Sequence, residues 1–395
     1  FERSDIPAAV NLLSRATALL DKEERACLEL LPDLGLALDE AGELERARRV
    51  LDEAQRLTAA LGEERLNAHA TIARALVLRV PDDEGVSDRD RALRAIDVFE
   101  RGPDHRGLAR ALNLLSLAAF LEGRGAEAEG AAERAQLHAL EAADLREQAE
   151  SCFRLSVALI HGPRPVEEAE ARAEEILDVY RGNRTVEAYM CHALAHLAAW
   201  RGEFDEGRRL ARRYREIVRD NGQRYMYADA TEAVGDVELA AGQDEDAVRI
   251  LLEGERLLAE IGEESAPDMV SFLAVALYGA GRYEEAAEAA ERVVSGPHPL
   301  WSRLAMATLA KVRGREGRLE EADRLSEDAA QAVGGFDLLV LRGRTLLDRG
   351  EVLRMLGRDT EANAVIEESI ALFEEKGSTA HAGQARAVLQ GVSPR

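Results

Sequence analysis

The chain has little with which to cross-link itself, build sheets or grip phosphate. Cysteine occurs three times in 395 residues, at Cys27, Cys152 and Cys191, with no Cys-x-x-Cys pair. An odd, widely spaced set excludes a disulfide framework and suits small buried side chains in a reducing cytoplasm, where the chain is expected to reside. Lysine is confined to Lys22, Lys311 and Lys376, so the basic residues are nearly all arginine, a bias that fits a GC-rich bacterial genome. Aromatic residues are 4%, and Ile, Val and Thr are comparatively few, which argues against a long β-rich domain. No run approaches the roughly 18 uninterrupted apolar residues of a membrane span, and no signal-peptide pattern opens the chain. It starts at Phe1 without Met and is read as a piece of something longer.

Motifs that carry chemistry are missing as well. There is no G-x-x-x-x-G-K-S/T, since Lys376-Gly377-Ser378 lacks the upstream glycine, and no G-x-G-x-x-G, G-x-S-x-G or H-E-x-x-H. No catalytic residue and no cofactor is therefore assigned, and this chain is not read as an enzyme. With 75 acidic against 51 basic residues the formal charge is -24. That field repels a phosphate backbone and argues against direct nucleic-acid binding.

What is present is helix-forming composition, dominated by Leu, Ala, Glu and Arg, and two interleaved glycine series of period near 40. One series is Gly62, Gly102, Gly182, Gly222 and Gly262, with Ala142 on the missing beat. The other is Gly42, Gly123, Gly202, Gly242, Gly281, Gly317 and Gly357, with Gly162 in phase. A fixed period of this length predicts a solenoid of helical hairpins. The second series marks the turn inside each hairpin, as in "RGEFDEG" (201–207) and "AGRYEEA" (280–286). There glycine ends one helix and acidic residues open the next. Irregular register is read at 81–90, and at 161–169, where Pro163 and Pro165 suit a helix start.

Small residues follow each turn glycine by five (Ala47, Ala128, Gly207, Ala247, Ala286, Ala322, Ala362) and precede it by seven (Gly35, Ser116, Ala195, Gly235, Ala274, Ala310, Gly350). These are the positions of closest helix approach, where larger side chains would overpack. An apolar residue precedes the second set, except Arg349 in the last repeat. The pattern resembles the tetratricopeptide repeat, with helices about a turn longer and glycine in place of the closing proline. The expected fold is an all-α, right-handed α-solenoid of about nine such hairpins, forming a single superhelix over 1–395. An N-terminal helix occupies 1–22, repeats 23–377, and a C-terminal helix and tail 378–395.

Tetratricopeptide geometry implies that the first helix of each hairpin lines a concave groove, through positions 13, 10, 9 and 6 before the turn glycine. These read Arg110 and Asn113, then Tyr189, His192 and His196, then Asp229, Glu232 and Asp236, and finally Lys311, Arg344, Leu347 and Glu351. An acidic band between aromatic-histidine and basic zones suits an extended or helical peptide. His192 and His196, four apart on a helix, share a face as metal ligands do. No carboxylate lies at matching helical spacing, so a third ligand would have to come from another hairpin. The pair is read as groove histidines, and no metal is assigned.

The strings "DIPAAVNLLSRATALL" (5–20), "LLPDLGLALDEAGELERARRVLDEA" (30–54), "LDRGEVLRMLGRDTEA" (347–362) and "ALFEEKGSTAHAGQARAVL" (371–389) resemble one group of proteins. It is the C-terminal repeat region of large actinobacterial polypeptides that join a class III adenylate/guanylate cyclase domain to an AAA-type ATPase and a tetratricopeptide array. Related arrays occur in large LuxR-type ATPase regulators. The resemblance implies a parent polypeptide that makes cyclic nucleotide and binds ATP, with none of the residues for either in this chain. The expected role of the chain itself is a protein- or peptide-binding module that senses a partner, or other domains of its own polypeptide, and signals by compressing or opening its superhelix. The alternatives are a structural spacer or oligomerisation module, and the ligand-sensing region of a transcriptional regulator.

Overall fold

The computed structural model describes residues 6–78, 86–262, 266–296 and 300–391, which form twenty α-helices and, among the described residues, no strand. A lone helix, α1 (Ile6–Leu19), is followed by hairpins. They are α2 (Arg25–Glu40) with α3 (Leu44–Leu61), α4 (Glu64–Leu78) with α5 (Asp88–Glu100), α6 (His105–Leu121) with α7 (Gly125–Glu141), and α8 (Leu145–His161) with α9 (Val166–Val179). Next come α10 (Arg184–Trp200) with α11 (Phe204–Asp220), α12 (Arg224–Ala240) with α13 (Asp244–Glu260), and α14 (Pro267–Gly279) with α15 (Tyr283–Val294). The series ends with α16 (Trp301–Arg315) and α17 (Leu319–Val333), α18 (Leu339–Met355) and α19 (Asp359–Lys376), and the single α20 (Thr379–Leu389). The fold is an all-α solenoid of tetratricopeptide-like hairpins. Among the described residues no helix is long and apolar enough to cross a membrane. The first half of the irregular stretch read at 81–90 lies outside the described residues; α5 itself opens on Ser87, whose hydroxyl accepts from the Asp90 amide at 3.1 Å.

The turn glycines end helices as their spacing predicts. Gly202 sits at φ 88°, and the amide of Glu203 reaches back to the Ala198 carbonyl at 2.9 Å, closing a Schellman-type stop. Two beats differ. Where glycine is missing, the left-handed residue is Ala143 (φ 50°), one position after the expected Ala142. Gly162 is extended rather than left-handed (φ -69°, ψ 177°), because the insertion after it leads into Pro165 at the start of α9.

The small residues are where helices meet. A Cβ at Gly35, Gly235 or Gly350 would lie within 2.8 Å of Leu51, Leu251 or Ile366 respectively. Each of these large residues stands nine positions past its turn glycine, so the space surrendered at one helix is filled from its partner. Arg349, the exception in the apolar column, is buried and turns outward to Asp323 (2.5 Å), Ser326 (2.7 Å) and Glu327 (2.8 Å).

A solenoid repeat ordinarily touches only its neighbours. Here the chain also docks on itself five hairpins later. The α6–α7 turn receives the α17–α18 turn, where the Asp337 amide bonds to the Gly123 carbonyl at 3.1 Å and its carboxylate accepts from Ala126 at 3.0 Å. The inserted α8–α9 turn receives Lys376, whose ammonium donates to the carbonyls of Leu159 (3.0 Å), Gly162 (2.7 Å) and Arg164 (2.7 Å). On α20, Thr379 donates to the Arg201 carbonyl at 2.9 Å and Gln384 to that of Ala240 at 3.2 Å. Gly42 likewise packs under Ile261 and Arg224. Successive turns of the superhelix are thereby stapled together, and the inner surface is enclosed.

Candidate functional site

The inner wall comes from the first helices of the hairpins. On α10 the spacing Tyr189, His192, His196, Trp200 keeps to one face, and all four side chains are buried. They meet the next repeat at Asp236 on α12. One Asp236 oxygen accepts from His196 Nδ1 and from Trp200 Nε1, both at 2.9 Å; the other accepts from Arg344 on α18 at 2.7 Å. Arg344 also reaches His381 Nε2 on α20 at 2.7 Å, so this node ties together helices a full superhelical turn apart. Burial alone would raise the Asp236 carboxyl, but the Arg344 guanidinium and His196 outweigh it and hold it well below the usual range. Burial opposes a charge on His196 too, yet Glu232 and Asp236 lift its imidazole to about 10. At His161 and His381 burial, with His196 and Arg344 respectively, outweighs the pull of Asp236 and lowers each to about 3.

A second node surrounds Arg110 on α6, which is 1% exposed. It bonds Glu147 on α8 at 2.6 Å and Asp33 on α2 at 2.5 Å. Arg146 continues the chain of charges from Glu147 (2.9 Å) to Glu40 (3.0 Å). A third node is Lys311 on α16, between Asp348 (2.6 Å) and Glu351 (3.6 Å) and 4.1 Å from the Tyr278 ring centroid. Burial opposes its charge, but Asp348 and Glu351 more than compensate and keep it an ammonium.

Every anticipated groove residue lies on a first helix, and the structure brings most into these nodes. Tyr189 accepts a hydrogen bond from Gln223 at 3.0 Å, His192 meets Ser156 at 3.2 Å, and Glu232 lies 3.6 Å from His196. Asp229 is half-buried on α12, and Asn113 is buried with neither amide atom hydrogen-bonded. The anticipated bands are therefore not open strips of one sign: Arg110, Asp236, Lys311 and Arg344 are neutralised by partners one or more repeats away. Asp33 and Asp348 went unremarked, although each stands nine before a turn glycine, in the same register as the named positions. Lys376 and His381 carried no such signal, because their partners come from another superhelical turn, and Trp200, which bonds Asp236 of the next repeat, stands outside the named register.

Between α12, α14, α16, α18 and α20 the enclosed wall opens into a cavity of about 560 Å³. Tyr278, Tyr283, Lys311, Arg315, Arg344 and Glu351 are among its lining residues. Arg315 bonds the Tyr278 hydroxyl through Nε at 2.8 Å and stacks on the Tyr278 and Tyr283 rings, at 5.2 and 4.9 Å from their centroids. Among the described residues no carboxylate lies within ion-pairing distance of it. A second cavity, of about 760 Å³, has Glu40, Arg146, Tyr189 and Gln223 in its wall.

No protein-family model matches the chain, and no characterised protein matches it in sequence. Its fold is matched among solved structures. A Rap protein complexed with competence and sporulation factor superposes with a TM-score of 0.59 at 15% identity, over 89% of this chain and 99% of that one. A chain of the APC/C hetero-tetramer Cut9–Hcn1 superposes with a TM-score of 0.53 at 13% identity, over 96% of this chain and 81% of that one. At these identities the likeness is one of fold: the chain is built as tetratricopeptide-repeat solenoids are built.

Proposed function

We propose that this chain is the ligand-reading module of a larger signalling protein, taking up a peptide or protein segment on its inner surface and reporting occupancy through the winding of the superhelix. The observation that carries this reading is the cavity of about 560 Å³, whose size falls in the range of ligand pockets. Arg315 stands in its wall backed by two tyrosine rings, with Asp244, Asp348 and Glu351 in the same wall but none of them within ion-pairing distance of it. Guanidinium groups held in this way bind carboxylates through paired hydrogen bonds, so the preferred ligand is a peptide presenting an acidic side chain or a free C-terminus. Arg344 links this cavity to Asp236 and His381, which places ligand-sensitive charge at a staple between superhelical turns. The Rap protein complexed with competence and sporulation factor is a precedent for a bound partner on this fold. The host that reads the signal is proposed to be an ATPase–cyclase polypeptide, on the resemblance of the repeat strings.

Fluorescence anisotropy against an array of peptides with free or amidated C-termini tests the proposal. Wild-type protein is expected to bind a subset saturably, with affinity falling at least about tenfold in Arg315→Ala. X-ray scattering is expected to show a change in radius of gyration on saturation. An array in which no peptide binds wild type better than Arg315→Ala refutes the reading.

A further inference from the structure

The helical spacing of His192 and His196 offers two metal ligands and lacks a third. Tertiary structure supplies it. Glu232, forty residues after His192 and at the equivalent position of the next repeat, is carried by α12 to the same point. Each of the three buried residues offers one ligand atom within 4.8 Å of the other two.

Hydrogen bonding fixes which atoms converge. Ser156 donates its hydroxyl proton to the Phe153 carbonyl at 2.7 Å, so its oxygen accepts from His192 Nδ1–H at 3.2 Å, which leaves the lone pair of His192 on Nε2. The Asp236 carboxylate can only accept, so His196 also carries its proton on Nδ1, at 2.9 Å, and turns Nε2 away. His196 Nε2 is buried, without a hydrogen-bond partner, and 3.6 Å from Glu232 Oε2. Two ligands bonded to one zinc ion at about 2.0–2.1 Å in tetrahedral or trigonal geometry stand about 3.3–3.6 Å apart. The Asp236–His196 contact is the carboxylate–histidine arrangement that orients metal-bound imidazoles, and Ser156 performs the same office for His192. Glu232 keeps 12% of its side chain exposed, which leaves a solvent edge for entry and for an exchangeable fourth ligand.

We infer that His192, His196 and Glu232 form a binding site for a first-row divalent metal ion, zinc by preference, held on the inner wall between the fifth and sixth hairpins. The ion is bound by His192 Nε2, His196 Nε2 and a Glu232 oxygen, with Asp236 and Ser156 as positioning residues. Binding displaces any proton on His196 Nε2 to solvent. The inference does not require the peptide reading: none of the three ligands lines the cavity of Arg315, and the two are joined only through Asp236, which bonds Arg344.

The test is titration of chelator-stripped protein with zinc, cobalt(II) and magnesium, followed by calorimetry and, for cobalt, by visible absorption. One equivalent of zinc is expected, with a cobalt spectrum of a low-coordinate nitrogen–oxygen site and no magnesium binding. Glu232→Gln and His192→Gln are each expected to weaken zinc by about 100-fold or more, and Ser156→Ala by about tenfold. His138→Ala, which removes a separate histidine pair with His105, is expected to change nothing. Absence of saturable zinc binding to wild type overturns the site and leaves the gap to the His196 proton. So does stoichiometric binding that survives Glu232→Gln and His192→Gln, or that vanishes in His138→Ala. The cobalt spectrum is read on wild-type protein, so the test stands even if a variant does not fold.

Discussion

Arg110 on the inner wall and Arg209 on the outer helix α11 use the same chemistry to opposite effect. Arg209 pairs with Glu206 one turn away on its own helix, with 62% and 43% of the two side chains exposed. Such a pair is screened, and its ordering entropy nearly offsets its attraction. The Arg110 and Glu147 side chains are 2% and 0% exposed, and their partners come from three different hairpins. There each charge owes its tolerance to a partner placed by distant sequence, so removing one strands the others. The outer pairs act within one helix, whereas the inner pairs join first helices of different hairpins.

The contrast can be broken most sharply at Arg110. Arg110→Met removes the buried partner that Asp33 and Glu147 share and leaves them only Arg106 and Arg146, and a loss of about 3 kcal/mol in denaturant unfolding is expected. Replacing all three by apolar residues is expected to restore most of it. A loss below about 1 kcal/mol would mean that inner pairs behave like outer ones.

Acid separates the two regions next. His381 is neutral in the fold, with its pKa held at about 3 by burial beside Arg344 and the Phe373 and Trp200 rings. Below the unfolded value of about 6.5 the unfolded chain binds a proton that the fold refuses. Its contribution is therefore intact at neutral pH and lost as pH falls, by about 1.4 kcal/mol per unit, until the folded value is reached. His381→Gln should flatten that slope in melting curves taken from pH 7 to 4.

Smaller effects belong to the turns and the outer face. Ala143 occupies a left-handed conformation in an exposed turn, and Ala143→Gly is expected to add about 1 kcal/mol of thermal stability. Arg209→Ala should fall within about 0.5 kcal/mol of wild type. A larger loss would show that the outer pairs act as a network.

Much of this was readable because the repeat is local. Turn glycines and the small residues around them act through contacts within one hairpin, so a period of 40 exposes both. The irregular 161–169 segment was visible as an insertion, but its use was not. Its carbonyls at Gly162 and Arg164 hold Lys376, more than two hundred residues away. His192 and His196 were visible as a pair, yet their carboxylate lay outside any helical spacing that could be counted along one helix.

The sequence by itself determined the all-α class, the hairpin register and the first helices as the inner wall, because helix stops and close approaches are set by nearest neighbours. Tertiary structure alone decided that the solenoid staples itself every five hairpins and that inner charges neutralise one another. It also decided that Glu232 meets two histidines and that Arg315 stands in a cavity wall against two tyrosine rings. These depend on superhelical curvature, a small rotation accumulated over repeats that no single repeat encodes.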